Sequence, residues 1–171
     1  YRFTRKENTD TYHITQRFQT PLHPVLHVNA RKEKIRSVKV NGVPATWQSI
    51  ESAHGYPLLS IQAEGTSSTT ITIEWEGAPL HTLAVQEPLI TSNGKLALQI
   101  PSGASISQVY DPQSILANHT VEATAFNAQI KGEPGHHTFF VYTHQGEMDW
   151  WQPVNIYIEN VRRSEERRVG K

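Results

Sequence analysis

Asp149-Trp150-Trp151-Gln152-Pro153 is the segment whose residue types and spacing come closest to a binding function. Successive residues of a β-strand face opposite sides, so two adjacent indoles there divide between a dry face and a wet one. Carrying the alternation of Val154, Ile156 and Ile158 backwards puts Trp150 and Gln152 inward and Trp151 outward. Pro153 is the one residue that could interrupt that alternation with a bulge. An outward indole can stack on a pyranose ring, whose C–H groups meet an aromatic face well. Trp151, with Trp150 and Asp149 beside it, is therefore the candidate ligand site. The plainer alternative carries more weight: both Trp side chains anchor a core or an interface with a neighbouring domain, because Trp is usually well buried.

Other reactive patterns are weaker. Glu147 and Asp149 are two carboxylates two residues apart on one short segment. Hydrolysis of a glycosidic bond needs two acids facing each other across a cleft, and neighbours on one segment lie side by side instead. Solvated loop acids are the better reading. The nine histidines invite a metal hypothesis. However, His136-His137 would diverge in a strand, and Pro24 between His23 and His27 excludes a zinc-binding helix. No D-x-D-x-D-G run suggests calcium. The chain has no cysteine, which excludes disulfides, zinc thiolates, iron–sulfur clusters and thiol nucleophiles. It has neither the G-x-S-x-G elbow of a serine hydrolase nor a glycine-rich phosphate loop. No catalytic residue, metal or cofactor is expected. Asn118-His119-Thr120 fits the N-glycosylation pattern, which matters only in a eukaryotic secretory host.

The elements that must position these residues are strands. Tyr12, Ile14 and Phe18 share one parity, and Ile71, Ile73 and Trp75 alternate with Thr72, Glu74 and Glu76. Leu96, Leu98 and Ile100 alternate with Ala97 and Gln99, and Val154, Ile156 and Ile158 with Asn155, Tyr157 and Glu159. Each run reads as a half-buried strand. Trp75 is assigned inward by its parity, and Trp47 to the core or its rim. Asn41-Gly42 between two apolar runs predicts a type I′ hairpin, and Asn93-Gly94 predicts a second. Gly65–Ser68 and Glu133-Pro134-Gly135 separate further strands. The only helical candidate is a single turn at Asp111–Leu116, with Asp111 as cap. Short strands, each followed by turn residues, predict an all-β antiparallel sandwich in two consecutive halves, the second immunoglobulin-like. The expected division is residues 1–80 and 81–162, with the joint near Ala78–Thr82.

Residues 163–171 (Arg163-Ser164-Glu165-Glu166-Arg167-Arg168-Val169-Gly170-Lys171) match the translation of a common short-read sequencing adapter and are read as an artefact of assembling environmental DNA. A basic amphipathic tail is the alternative. Without them Lys+Arg falls from 16 to 12 and Asp+Glu from 16 to 14. The body is then slightly acidic and has no basic stripe, which argues against a nucleic-acid partner. No apolar run approaches the roughly 20 residues of a membrane span. Residue 1 is Tyr, so a processed or truncated N-terminus is expected, and the protein is expected to continue past Arg162.

Val109-Tyr110-Asp111-Pro112, Gly135-His136-His137-Thr138-Phe139-Phe140-Val141 and Gln145-Gly146-Glu147-Met148-Asp149-Trp150-Trp151-Gln152-Pro153-Val154 together resemble the immunoglobulin-like sandwich regions of large glycan-utilisation proteins of gut-type (Bacteroidetes-type) bacteria. Val38-Lys39-Val40-Asn41-Gly42 and Gly55-Tyr56-Pro57 resemble the accessory sandwiches that flank an α/α-barrel glycosidase-like domain in the same proteins. The resemblance covers most of residues 10–160 and rests on strand-and-turn patterns. In such proteins the catalytic acids lie in the barrel, so no functional residue carries over. The resemblance implies export to the periplasm or cell surface, a polysaccharide context, and neighbouring domains of the same polypeptide as partners. The expected role is a non-catalytic structural accessory module of a larger glycoside hydrolase-like protein. The alternatives are a carbohydrate-binding module using Trp151 and an immunoglobulin-like surface adhesion module.

Overall fold

The computed structural model describes residues 1–81, 83 and 87–160. The adapter-like segment 163–171 and Thr82 of the expected joint lie outside them. The described residues form fifteen strands and no helix, and none of them belongs to a helix long and apolar enough to cross a membrane. The chain divides into two compact units. Unit 1 is Tyr1–Leu80 with Gln145–Asp149, and unit 2 is His81–His144 with Trp150–Lys171.

Unit 1 contains two antiparallel sheets. The larger has the order β1 (Arg2–Lys6), β2 (Thr9–Thr15), β8 (Ser68–Pro79), β4 (Lys32–Val40), β5 (Val43–Pro44). The smaller has the order β3 (Val25–Asn29), β7 (Leu58–Gln62), β6 (Gln48–Ser49). In the central strand β8, Thr69, Ile71, Ile73 and Trp75 are buried and the residues between them are not. In β7 the buried pair is Leu59 and Ile61. Alternation thus supplies each sheet with a dry face, and joining the two dry faces is the main gain from folding. The hairpin at Asn41-Gly42 forms as the sequence predicts: both residues have positive φ, 52° and 81°, as a type I′ turn requires.

Strand β4 carries two register shifts, between Lys32 and Lys34 and between Ile35 and Ser37. Such bulges leave backbone groups without ladder partners. The turn Gln145–Asp149 supplies partners for them. The Glu147 amide donates to the Glu33 carbonyl at 2.7 Å, and the Ile35 amide donates to Glu147 Oε2 at 3.4 Å. Gln145 Nε2 reaches the Pro79 carbonyl at 3.0 Å and Glu33 Oε2 at 3.3 Å. Glu33 Oε1 in turn accepts from the Ala78 amide at 2.9 Å. Gly146 has φ +62°, and a Cβ there would lie 2.4 Å from the Glu33 carbonyl oxygen. Only glycine allows this approach.

Unit 2 has seven strands: β9 (Leu89–Thr91), β10 (Lys95–Gln99), β11 (Ser105–Tyr110), β12 (Leu116–Glu122), β13 (Ala125–Ile130), β14 (Gly135–Gln145) and β15 (Met148–Glu159). The far ends of β14 and β15 form the turn that belongs to unit 1. One sheet has the order β10-β13-β12 and the other β11-β14-β15-β9. The second, fifth and fourth strands therefore face the third, sixth and seventh, as in an immunoglobulin sandwich. The first strand joins the second sheet, running parallel to the last through Leu89↔Tyr157, Ile90↔Ile158 and Thr91↔Glu159. The core includes Ile115, Phe126, Ile130, Phe139, Val141, Val154, Ile156 and Ile158, with Phe126 and Phe139 in ring contact at 5.3 Å. The fold is all-β, and its second unit is immunoglobulin-like.

Two local expectations are corrected. Asn93-Gly94 does not close a hairpin: β9 pairs with β15 and β10 with β13, so the turn passes the chain from one sheet to the other. Asn93 has φ 68°, and its amide donates to the Ile130 carbonyl at 2.8 Å, anchoring the crossing to β13. The single helical turn expected at Asp111–Leu116 is instead a turn closed by the Asp111 carboxylate, which accepts from the Leu116 amide at 2.9 Å. Ser114 there has φ 54°, outside the right-handed helical region.

Candidate aromatic face

On β15, Trp150, Gln152, Val154, Ile156 and Ile158 are buried, and Trp151, Pro153, Asn155 and Tyr157 are not. The alternation runs through Pro153 without a break. Trp150 is 0% exposed, and its Nε1 donates to Gln152 Oε1 at 3.2 Å. This indole belongs to the packing, and Trp151 is the one left for a partner. Asp149 is half-buried at the start of β15, within the part of the strand that belongs to unit 1. Trp150 and Trp151 belong to unit 2. Glu147 is engaged as a hydrogen-bond acceptor for the Ile35 backbone.

The neighbouring strand β14 alternates in the same way. Phe139, Val141 and Thr143 are buried, while Phe140 and Tyr142 turn to the outer face. Cross-strand contacts fix the match between β14 and β15. Tyr142 and Trp151 have ring centroids 5.0 Å apart, Thr138 Oγ1 donates to Asn155 Oδ1 at 2.8 Å, and His136 lies edge-on to Tyr157 at 5.0 Å. Strand β11 adds Tyr110, which pairs in register with Phe140 at a ring distance of 6.2 Å and meets Trp151 edge-on at 6.3 Å. Tyr110, Phe140, Tyr142 and Trp151 thus form one continuous aromatic strip on the outer face of this sheet. Tyr110 is its most open member, 57% exposed. The rings are not coplanar. Trp151 is tilted 55° from Tyr142 and 68° from Tyr110, in the tilted and edge-to-face arrangements that aromatic pairs favour.

The strip was not legible from Asp149–Pro153 alone. The local signal for Phe140 and Tyr142 was their alternation with Phe139 and Val141. Tyr110 joins through a strand pairing about thirty positions distant in sequence.

Compared with known proteins, the chain matches no family model, no curated protein and no solved structure.

The histidines are dispersed. His13 Nδ1 bonds Thr70 Oγ1 at 3.0 Å, His23 Nδ1 accepts from the Gly65 amide at 3.1 Å, and His136 Nδ1 contacts Glu87 Oε1 at 2.6 Å. Among the described residues no group of three or more His, Cys, Asp or Glu side chains is arranged to hold a metal ion.

Sequence reasoning also missed a buried acid in unit 1. Asp10 is 1% exposed. Arg5 grips it with two bonds, Nε to Oδ1 at 2.8 Å and Nη2 to Oδ2 at 3.2 Å, and Trp75 Nε1 donates to Oδ2 at 3.1 Å. Arg31 Nε lies 3.7 Å from Oδ2, and Arg31 Nη2 donates to the Glu7 carbonyl. The hydrogen bond to Asp10 raises the Arg5 pKa, while burial followed by the Asp10 charge raises that of Tyr12. The available signal was parity: Asp10 shares the inward face of Tyr12 and Ile14, and an acid on a dry face needs cationic partners. Arg5 and Trp75 together engage both carboxylate oxygens, so the group ties β1, β2 and β8 together.

Proposed function

We propose that this chain is a non-catalytic accessory β-sandwich module of a larger, exported glycoside hydrolase-like protein. In this reading it braces a neighbouring domain of the same polypeptide through the aromatic strip of unit 2. The observation that carries the reading is the form of the strip. A polysaccharide-stacking platform presents open, flat ring faces, whereas Trp151 is half-buried and touches a tilted Tyr142 and an edge-on Tyr110. A rough, interlocked aromatic surface suits the side chains of a protein partner, where aromatic residues are enriched. A contiguous aromatic strip with one exposed and three half-exposed rings is a candidate interaction site.

Carbohydrate binding through Trp151 is the second reading, favoured by the exposure of Tyr110 beside it. Oxidative footprinting of the tryptophans separates the two. The docking reading expects Trp151 to be modified in this chain and protected in a longer polypeptide that includes the following domain. Equal modification in both would overturn it. Retention on polysaccharide gels that disappears in Trp151→Ala would transfer the strip to the second reading.

A further inference from the structure

We infer that the outer face of the β10-β13-β12 sheet is a separate binding site in unit 2, for a pyranose oligosaccharide. In an immunoglobulin sandwich the outer faces of the two sheets point away from each other, so this surface is distinct from the aromatic strip.

The site is built by a bulge. Leu116 pairs with Ile130 and Asn118 with Gln129, so Ala117 is an extra residue in β12. Simple alternation from the buried Leu116 would turn Asn118 inward. The bulge turns it outward instead, beside Gln129, and Asn118 Nδ2 donates to Gln129 Oε1 at 3.4 Å. Two rows then cross the sheet, Lys95–Gln129–Asn118 and Ala97–Asn127–Thr120. They line a shallow, open groove of about 420 Å³, a shape that leaves room for an extended ligand lying along the surface.

Three features point to a sugar. First, Asn is disfavoured within strands, yet Asn118 and Asn127 sit on one face, one of them re-aimed by a bulge. Local choices that oppose the fold collect at functional sites. Second, the groups have the right valence. Each amide offers two donors and an acceptor, and Thr120 offers a hydroxyl, which matches ligand hydroxyls that both give and accept. Among the described residues the Asn127 amide and the Thr120 hydroxyl make no hydrogen bond to the protein and are available to a ligand. Third, Ala97 ends its row with a short carbon side chain beside Asn127, leaving room for the apolar face of a pyranose. Among the described residues Lys95 is the only permanently charged one lining the groove, and no carboxylate lines it. The surface therefore accepts neutral sugars and sugars bearing a carboxylate, and repels neither.

The test uses the full chain made in a bacterial host, so that Asn118-His119-Thr120 stays unmodified. Calorimetric titrations employ cellohexaose, xylohexaose, mannohexaose and trigalacturonate. At least one probe is expected to bind, and Asn127→Ala is expected to weaken it tenfold or more with the circular dichroism unchanged. Trp151→Ala is expected to leave the affinity within twofold, which keeps this site distinguishable from the strip. Lys95→Met separates the sources, weakening trigalacturonate while sparing the neutral hexasaccharides. Absence of binding by all four probes, or binding lost in Trp151→Ala and retained in Asn127→Ala, overturns the inference.

Discussion

The two units solve the same packing problem with different chemistry. Unit 2 buries an apolar core in which, among the described residues, no ionisable side chain is enclosed. Unit 1 encloses Asp10 and satisfies it with Arg5 from edge strand β1 and with the indole of Trp75 from the central strand β8. Every residue of β1 is exposed. The strand is held by pairing with β2, by the Phe3–Tyr12 ring contact at 4.9 Å, and by the Arg5–Asp10 bonds. An apolar core tolerates changes of charge state and punishes lost volume. A core built round a carboxylate punishes the loss of a single partner, because an unpaired buried group costs its full desolvation. The comparison teaches that stability in unit 1 depends on electrostatics that unit 2 does without.

Three changes would break or sharpen that contrast. The largest effect is expected from Phe126→Ala, which empties a fully buried ring site and should cost about 4 kcal/mol. Hydrogen exchange should quicken in peptides from β10 to β15 and stay unchanged in β2, β7 and β8. Loss of protection in both units together would show that they unfold as one body and would erase the distinction. Next is Asp10→Ala, which strands the indole N–H of Trp75 and removes the partner of Arg5. A cost of about 2 kcal/mol is expected, with exchange quickening in β1, β2 and β8. A change below about 1 kcal/mol would rank the carboxylate with ordinary surface pairs. The smallest effect belongs to Tyr12. Burial raises its pKa in the folded state, so as pH climbs past about 10 the unfolded chain releases the phenolic proton first. Its contribution to stability is intact below that pH and declines above it. Urea midpoints of the native chain should fall between pH 9 and 11, and those of Tyr12→Phe should fall less.

Legibility in the sequence followed the range of the interaction concerned. The opposite facing of Trp150 and Trp151 was readable because alternation is local and survives Pro153. The Asn41-Gly42 hairpin was readable because a two-residue loop fixes its own register. Asn93-Gly94 misled because the same dipeptide serves where a chain changes sheets, and the partner of β9 lies more than sixty positions away. The outward turn of Asn118 was hidden because a bulge is defined by the opposite strand. Tyr110 and Phe140 became neighbours only once β11 and β14 had paired. Asp10 stood in plain view on an inward parity, but its partners come from two other strands.

The Gln145–Asp149 turn has a consequence for how the chain is made. Unit 1 closes with a hydrogen bond between Glu33 and a residue 112 positions later. At about 5–20 residues per second, translation takes roughly 5–20 s to cover that interval. At the end of that interval Met148, a fully buried member of unit 1, has still to be synthesised. Unit 1 is therefore complete only after a stretch that belongs to unit 2 has been made, so its own strands alone do not finish it.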